Sequence, residues 1–138
     1  MWSFGCILYE LYVGHPLFPG EDEKDHMALM MEVKGTPPRS VLARATRRKV
    51  FFDDDYRPII VPNSKGKMRV PNSKNLPDLI NTQDLDFVDF IDKCIEWKTD
   101  SRMTPEMAFS HPFISKAVNE LKCLRTGPNA GGNAQNSN

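Results

Sequence analysis

Met1-Trp-Ser-Phe-Gly-Cys-Ile-Leu-Tyr-Glu-Leu-Tyr-Val-Gly14 is a helix-length run that is apolar on every side, with Glu10 as its only charge. A surface helix keeps a polar face, and a helix that is apolar all round belongs inside a larger core. Ten of its residues are large and apolar, and burying each contributes ~1.5–3 kcal/mol. Leaving them wet forfeits more than the ~5–15 kcal/mol of net stability that an ordinary domain has. The run is therefore read as the buried helix of a larger unit, with covering elements expected ahead of it. Three plainer readings compete. A signal peptide needs a basic start and a small-residue cleavage site, and the run ends instead in Val13-Gly-His-Pro16. A membrane span needs ~20 apolar residues. The central helix of a complete small bundle stays open on pattern alone.

Composition narrows the class. The 138 residues carry 18 Lys plus Arg against 18 Asp plus Glu, so no global field draws the chain to nucleic acid or to an acidic membrane. Cys6, Cys94 and Cys123 are scattered and odd in number, which suits reduced thiols of the cytoplasm or nucleus better than a disulfide framework. His15, His26 and His111 are equally dispersed, and no metal site is expected.

Working outward from the first helix, His15-Pro-Leu-Phe-Pro-Gly20 reads as a rigid loop. The acidic run Glu21-Asp-Glu-Lys-Asp25 suits the positive end of a helix continuing through Met27, Leu29, Met30, Met31 and Val33. Gly35, Pro37 and Pro38 then stop it. From about Arg39 to Ile80 the character changes. A short helical stretch, Val41–Arg48, leads into Phe51-Phe-Asp-Asp-Asp-Tyr56 and then into a segment rich in Pro, Asn and Lys. There Pro62-Asn-Ser-Lys is echoed by Pro71-Asn-Ser-Lys, too short an echo for a repeat architecture. Arg47-Arg-Lys49 and Lys65-Gly-Lys-Met-Arg69 offer cations for phosphates, but a solvated basic insert is the preferred reading. Leu85, Val88, Ile91 and Ile95, flanked by Phe87, Phe90 and Cys94, predict a helix from Asp84 to Trp97. Thr104-Pro105 starts another with a hydroxyl cap and an N1 proline. Phe113 to Leu124 forms a last amphipathic helix, and residues 126–138 have nothing apolar to bury and read as a disordered tail.

Met1-Trp-Ser-Phe-Gly-Cys-Ile-Leu-Tyr-Glu-Leu, Gly14-His-Pro-Leu-Phe-Pro-Gly20, Trp97-Lys-Thr-Asp-Ser-Arg-Met-Thr-Pro-Glu-Met-Ala108 and His111-Pro-Phe113 together resemble, in order and spacing, the second half of a eukaryotic protein kinase domain. The finer pattern resembles the dual-specificity tyrosine-phosphorylation-regulated (minibrain-like) kinases. Pro16-Leu-Phe-Pro-Gly20, Gly35-Thr-Pro-Pro38, Arg47–Asp53 and Lys67–Lys74 carry that likeness. The resemblance implies a mainly α fold: the helical end of a kinase large lobe (C-lobe) with an irregular insert over 39–82, the small lobe and catalytic loop being absent. It implies a partial kinase domain over 1–114, a helical extension over 115–125, helices at 2–13, 21–34, 84–96 and 105–111, and a chain that starts at an internal methionine or is truncated.

Phosphoryl transfer needs a glycine-rich phosphate loop, a phosphate-binding lysine, a catalytic aspartate with its loop asparagine, and a metal-binding aspartate. No Gly-x-Gly-x-x-Gly, His-Arg-Asp or Asp-Phe-Gly occurs in these 138 residues. No catalytic, cofactor-binding or metal residue is assigned, and the chain alone is expected to be inactive. ATP and magnesium are implied only for a full-length parent acting on proteins. By resemblance, Trp2, Gly5 and Trp97 are packing residues. Arg102 matches an arginine that pairs with a glutamate absent from this sequence, so it is expected to be unpaired or solvated. Protein substrates or regulators are expected near loop 15–20, helix 21–34 and the insert. Two other readings remain: a non-catalytic helical protein-binding module, and a complete helical domain of unrelated function whose first helix is sealed by its own later helices.

Overall fold

A computed structural model describes residues 1–125; the expected disorder of 126–138 lies outside the described residues. Among the described residues eight helices run in chain order: α1 (Trp2–Val13), α2 (Glu23–Lys34), α3 (Arg39–Leu42), α4 (Arg48–Phe51), α5 (Leu76–Ile80), α6 (Leu85–Cys94), α7 (Pro105–Ser110) and α8 (Pro112–Arg125). The only bridge between extended segments among the described residues joins Phe52 to Pro58. The fold is mainly α.

Helix α1 is built on α6, its most extensive helical neighbour. Gly5 makes this approach possible: a Cβ there would lie 2.6 Å from the Cys94 Cβ, closer than two carbons can sit. Around this crossing Tyr9, Ile91 and Ile95 are buried with Leu29, Leu76, Ile80 and Phe87, and Trp2, Cys6 and Val13 pack against them. Positions 2, 5, 9 and 13 thus form one inward stripe, as helical periodicity requires. The opposite stripe is uncovered. Phe4, Ile7 and Leu11 are 44%, 52% and 77% exposed, and Tyr12 is exposed beside them. Loop 15–20 hooks inward, with Leu17 and Phe18 buried and the Phe18 carbonyl 3.0 Å from His26 Nδ1.

A second core gathers Phe90, Cys94, Met103 and Ala108. Phe113 joins it to the first, its ring 5.0 Å from Phe87 and 5.3 Å from Phe90. His111 is buried at the α7–α8 junction. Its Nδ1 accepts from the Phe113 N–H, which leaves Nε2 to donate to Asp89 Oδ2 at 2.9 Å. A third, smaller core belongs to the insert, where Met31, Leu42 and Phe52 are buried with Met27, Phe51, Tyr56 and Trp97 against them.

Several boundaries differ from those the sequence predicts. Helix α2 starts at Glu23 because Asp22 caps it, accepting from the Lys24 and Asp25 N–H groups. Val41–Arg48 is not one helical stretch; α3 ends at Leu42, and α4 starts afresh at Arg48 after turns. Helix α6 stops at Cys94 rather than reaching Trp97. Ile95 already has φ −100° and ψ 29°, and its side chain is fully buried, so the chain turns there to bring Trp97 back onto α2. Helix α5 lies inside the segment that the sequence reads as irregular. Asn75, whose side chain accepts from the Asp78 N–H, and Pro77 in the first turn are its start signal. Helix α8 begins at Pro112 and runs unbroken through position 114.

Candidate functional site

The face expected to meet partners comprises loop 15–20, α2 and the insert, and charge is what joins these pieces. Arg69 is 9% exposed. Its Nε donates to Asp25 Oδ1 at 2.5 Å and its Nη2 to Asp25 Oδ2 at 3.1 Å, a forked pair. Its Nη1 donates to Glu32 Oε2 at 3.2 Å, and Lys74 Nζ reaches the same oxygen at 3.0 Å. Asp25 and Glu32 lie two turns apart on α2, so one arginine of the insert staples the buried side of that helix. Backbone bonds add to the seam: Asn72 N–H to the Met31 carbonyl and Lys74 N–H to the Glu32 carbonyl, each at 3.0 Å. Gly35, with φ 68°, lets the insert close over the end of α2; a Cβ there would meet the Asn72 side chain at 2.5 Å.

Arg47, Lys49, Lys65 and Lys67 are exposed, as a solvated basic insert requires, and Arg69 is the exception that this arrangement corrects. The acidic run at the start of α2 is divided among the insert's groups. Glu23 forms a two-oxygen pair with Arg47 at 2.7 and 2.8 Å, Glu21 accepts from the Ser64 N–H, and Asp25 holds Arg69. The hydrogen bond from Arg69 holds the Asp25 carboxyl below the ordinary aspartate range, and the nearby carboxylates push the Arg69 guanidinium up. Nothing local in the sequence marks Arg69 as buried; the only signal was three separate charges, at 25, 32 and 69, that need one another.

Three of the four residues singled out by resemblance, Trp2, Trp97 and Arg102, meet at one seam, and Gly5 lies on the α1–α6 crossing. Trp2 and Trp97 have ring centroids 5.2 Å apart, and Trp2 also stacks on Phe18 at 6.2 Å. Trp97 Nε1 donates to the carbonyls of Lys34 and Gly35 at 3.2 and 3.1 Å, capping the end of α2. Arg102 is not unpaired. Its Nε donates to the Glu96 carbonyl at 2.8 Å and its Nη2 to the Trp97 carbonyl at 3.3 Å, and its guanidinium lies 5.4 Å from the Trp2 ring centre. Its acceptors are backbone carbonyls of the turn that follows α6.

Among the described residues no three His, Cys, Asp or Glu side chains gather as a metal-holding group. The carboxylates that do come close are committed to cations or amides: Asp25 and Glu32 to Arg69, Asp53 to the Arg57 N–H, and Asp55 to Arg57. Burial pushes the Cys6 thiol up and the Cys94 thiol to about 11, which disfavours the nucleophilic thiolate at these two positions. No described helix is long and apolar enough to cross a membrane.

The family model that describes the protein kinase domain matches residues 1–114. Over 118 residues the chain is 47% identical to the Dual specificity tyrosine-phosphorylation-regulated kinase 2 of Drosophila melanogaster, covering 86% of this chain and 16% of that protein. It is 45% identical over 119 residues to the Dual specificity tyrosine-phosphorylation-regulated kinase 4 of Homo sapiens, covering 86% of this chain and 23% of that one. With the DYRK-family kinase pom1 of Schizosaccharomyces pombe the figures are 44% over 115 residues, 83% and 11%. The chain therefore spans less than a quarter of the length of each of these relatives.

Proposed function

This chain belongs to the protein kinase family and resembles its dual-specificity tyrosine-phosphorylation-regulated members, and from that premise we propose that it forms the helical end of the large lobe of a serine/threonine (dual-specificity) kinase. The full-length parent transfers the γ-phosphate of ATP to protein substrates with Mg2+. This stretch does not catalyse transfer alone, because none of its residues supplies the phosphate cradle, the base or the metal carboxylate that the reaction needs. Its contribution is a foundation: α1 held on α6 by Gly5, and α2 locked to the insert by Arg69. Trp2, Gly5, Trp97 and Arg102 act in packing and positioning. Protein substrates and regulators approach loop 15–20, α2 and the insert, and the parent works in the cytoplasm or nucleus.

The observation that carries this reading is the divided surface of α1. Its inward stripe is fully used, while Phe4, Ile7 and Leu11 on the other side face solvent. In the proposed kinase domain that stripe packs against other parts of the lobe. A complete helical domain that seals its own first helix does not fit this surface, and a self-sufficient binding module fits it poorly. Phosphotransfer assays separate the readings. With radiolabelled ATP, Mg2+ and a general protein substrate, residues 1–138 give no incorporation, whereas a longer protein carrying the upstream catalytic elements does. Incorporation by residues 1–138 alone overturns the inactive-stretch reading, and an inactive longer protein overturns the kinase assignment.

A further inference from the structure

Tyr56 stands on the turn that follows α4, where the Asp53 N–H donates to the Arg57 carbonyl at 2.9 Å and the Tyr56 N–H to the Asp53 carbonyl at 3.1 Å. Its φ of 66° is one that a bulky residue rarely adopts, so the side chain has a use that outweighs the preference of the backbone. Packing is part of that use. The ring lies half-buried against the core of Met31, Leu42 and Phe52, with the guanidinium carbon of Arg48 4.3 Å and that of Arg39 5.4 Å from its centre. A phenylalanine would pack equally well. Tyrosine adds a hydroxyl, and this one makes no hydrogen bond among the described residues. The two arginines differ in what they hold. Arg48 donates to the Asp53 carbonyl at 2.7 Å and lies 3.6 Å from Asp54. The Arg39 side chain is exposed and forms neither a hydrogen bond nor an ion pair among the described residues, so it is the cation beside this ring still free to take an anion. Asp53-Asp54-Asp55 leads directly into the tyrosine, and Asp54 and Asp55 are exposed. The other tyrosines are placed differently. Tyr9 is buried, with its hydroxyl 3.4 Å from the Leu79 carbonyl. Tyr12 is exposed but lies inside α1, with Glu10 as its nearest acid in sequence.

We propose that Tyr56 is a phosphorylation site, modified by a separate tyrosine-directed protein kinase with MgATP, and that Arg39 holds the phosphate once it is attached. In the modifying kinase the Tyr56 Oη attacks the γ-phosphorus of ATP. The Oη–P bond forms as the bond from that phosphorus to the β–γ bridging oxygen breaks, ADP leaves with the electron pair, and the phenolic proton passes to the kinase's carboxylate base. The exposed aspartates ahead of the tyrosine steer the turn toward a kinase whose cleft is basic at those positions. The product carries a charge of about −1.5 to −2 and three acceptor oxygens. Lys49 and Arg57 already meet Asp54 and Asp55, which limits the repulsion, and the planar fork of Arg39 suits two phosphate oxygens at once. Arg39 opens α3 and Tyr56 follows α4, so the link between them closes the small core that Leu42 and Phe52 form. The inference adds regulation to the docking surface proposed above and rests on that reading for its consequence, whereas the modification itself is tested without it.

The test uses the folded 138-residue chain, MgATP and a purified tyrosine-directed kinase chosen because it phosphorylates the free peptide of residues 48–61. Mass spectrometry should place one phosphate on Tyr56 and none on Tyr12, and Tyr56→Phe should abolish incorporation. The role of Arg39 is read by 31P resonance on the phosphorylated chain. The second ionisation of a phosphate ester lies near pH 6, and a neighbouring cation lowers it. Arg39→Ala should therefore raise the midpoint of the attached phosphate by about half a unit, which is about threefold in proton affinity. Arg39 is exposed, so an unchanged melt of the unmodified variant verifies that it folds. A kinase that labels the peptide but leaves Tyr56 of the folded chain unlabelled overturns the proposal, as does labelling of Tyr12 in its place. Labelling at Tyr56 with a midpoint indifferent to Arg39→Ala overturns the phosphate contact. The kinase assignment is tested separately by the phosphotransfer assay, in which the chain is asked to donate rather than to accept.

Discussion

Helix α1 and the insert are opposites in sequence and exchange roles in the structure. The apolar helix, which reads as the most buried element, leaves Phe4, Ile7 and Leu11 in solvent. The polar, proline-rich insert, which reads as a solvated loop, sends Arg69 into the interior and closes its backbone onto α2. The difference lies in what each surface needs. An apolar stripe is satisfied only by area, which must come from other elements. A guanidinium is satisfied by a few well-placed oxygens, and α2 carries them at Asp25 and Glu32.

That contrast breaks most readily at Arg69. Arg69→Met strands Asp25 and Glu32 without their buried cation and should destabilise the fold by about 3–5 kcal/mol, measured by denaturant unfolding. An equal melt for the variant would mean the insert is not held by charge. Acid sharpens the same point. The Asp25 carboxyl is held below its ordinary value of 3.8. Its contribution is therefore full above that value and is lost as pH falls through the lowered one. Asp25→Asn should cost about 1.5–3 kcal/mol at neutral pH, and its deficit relative to the unaltered chain should shrink as both are acidified. On the α1 side, Gly5→Ala sets two effects against each other. Alanine favours the helix by about 1 kcal/mol, but its Cβ meets Cys94 at 2.6 Å and overpacking costs about 1–3 kcal/mol. A net loss near 1 kcal/mol is expected by thermal melting. The smallest effect belongs to the outward stripe: Leu11→Lys changes the stability of this chain by no more than about 0.5 kcal/mol. In a longer kinase domain, where that stripe is covered, the same substitution should cost several times more.

What could be read in advance follows the range of the interaction. Helix starts at Thr104-Pro105 and the periodicity of Leu85–Ile95 are local and were legible. So is Asn75-Leu-Pro77-Asp78, an N-cap with a proline in the first turn, though it lies inside a segment whose composition is that of an irregular insert. The end of α6 was not local. Trp97 leaves the helix because Nε1 finds carbonyls at Lys34 and Gly35, more than sixty residues earlier. Arg102 likewise depends on carbonyls that exist only once α6 has stopped at Cys94. Loop 15–20 and α2 are marked by local signals, but the Arg69 staple is not. Residues 37 and 44 positions away select its geometry, and no local pattern encodes that choice.

The chain has two tryptophans, Trp2 and Trp97, and their ring centres sit 5.2 Å apart. At that separation the two indole transitions couple, so the native molecule carries a paired chromophore whose exciton band vanishes when either ring moves away. One ring rides on the first helix and the other clasps the end of the second. Circular dichroism in the indole bands therefore gauges, without any label, whether the start of α1 and the turn after α6 are seated against each other.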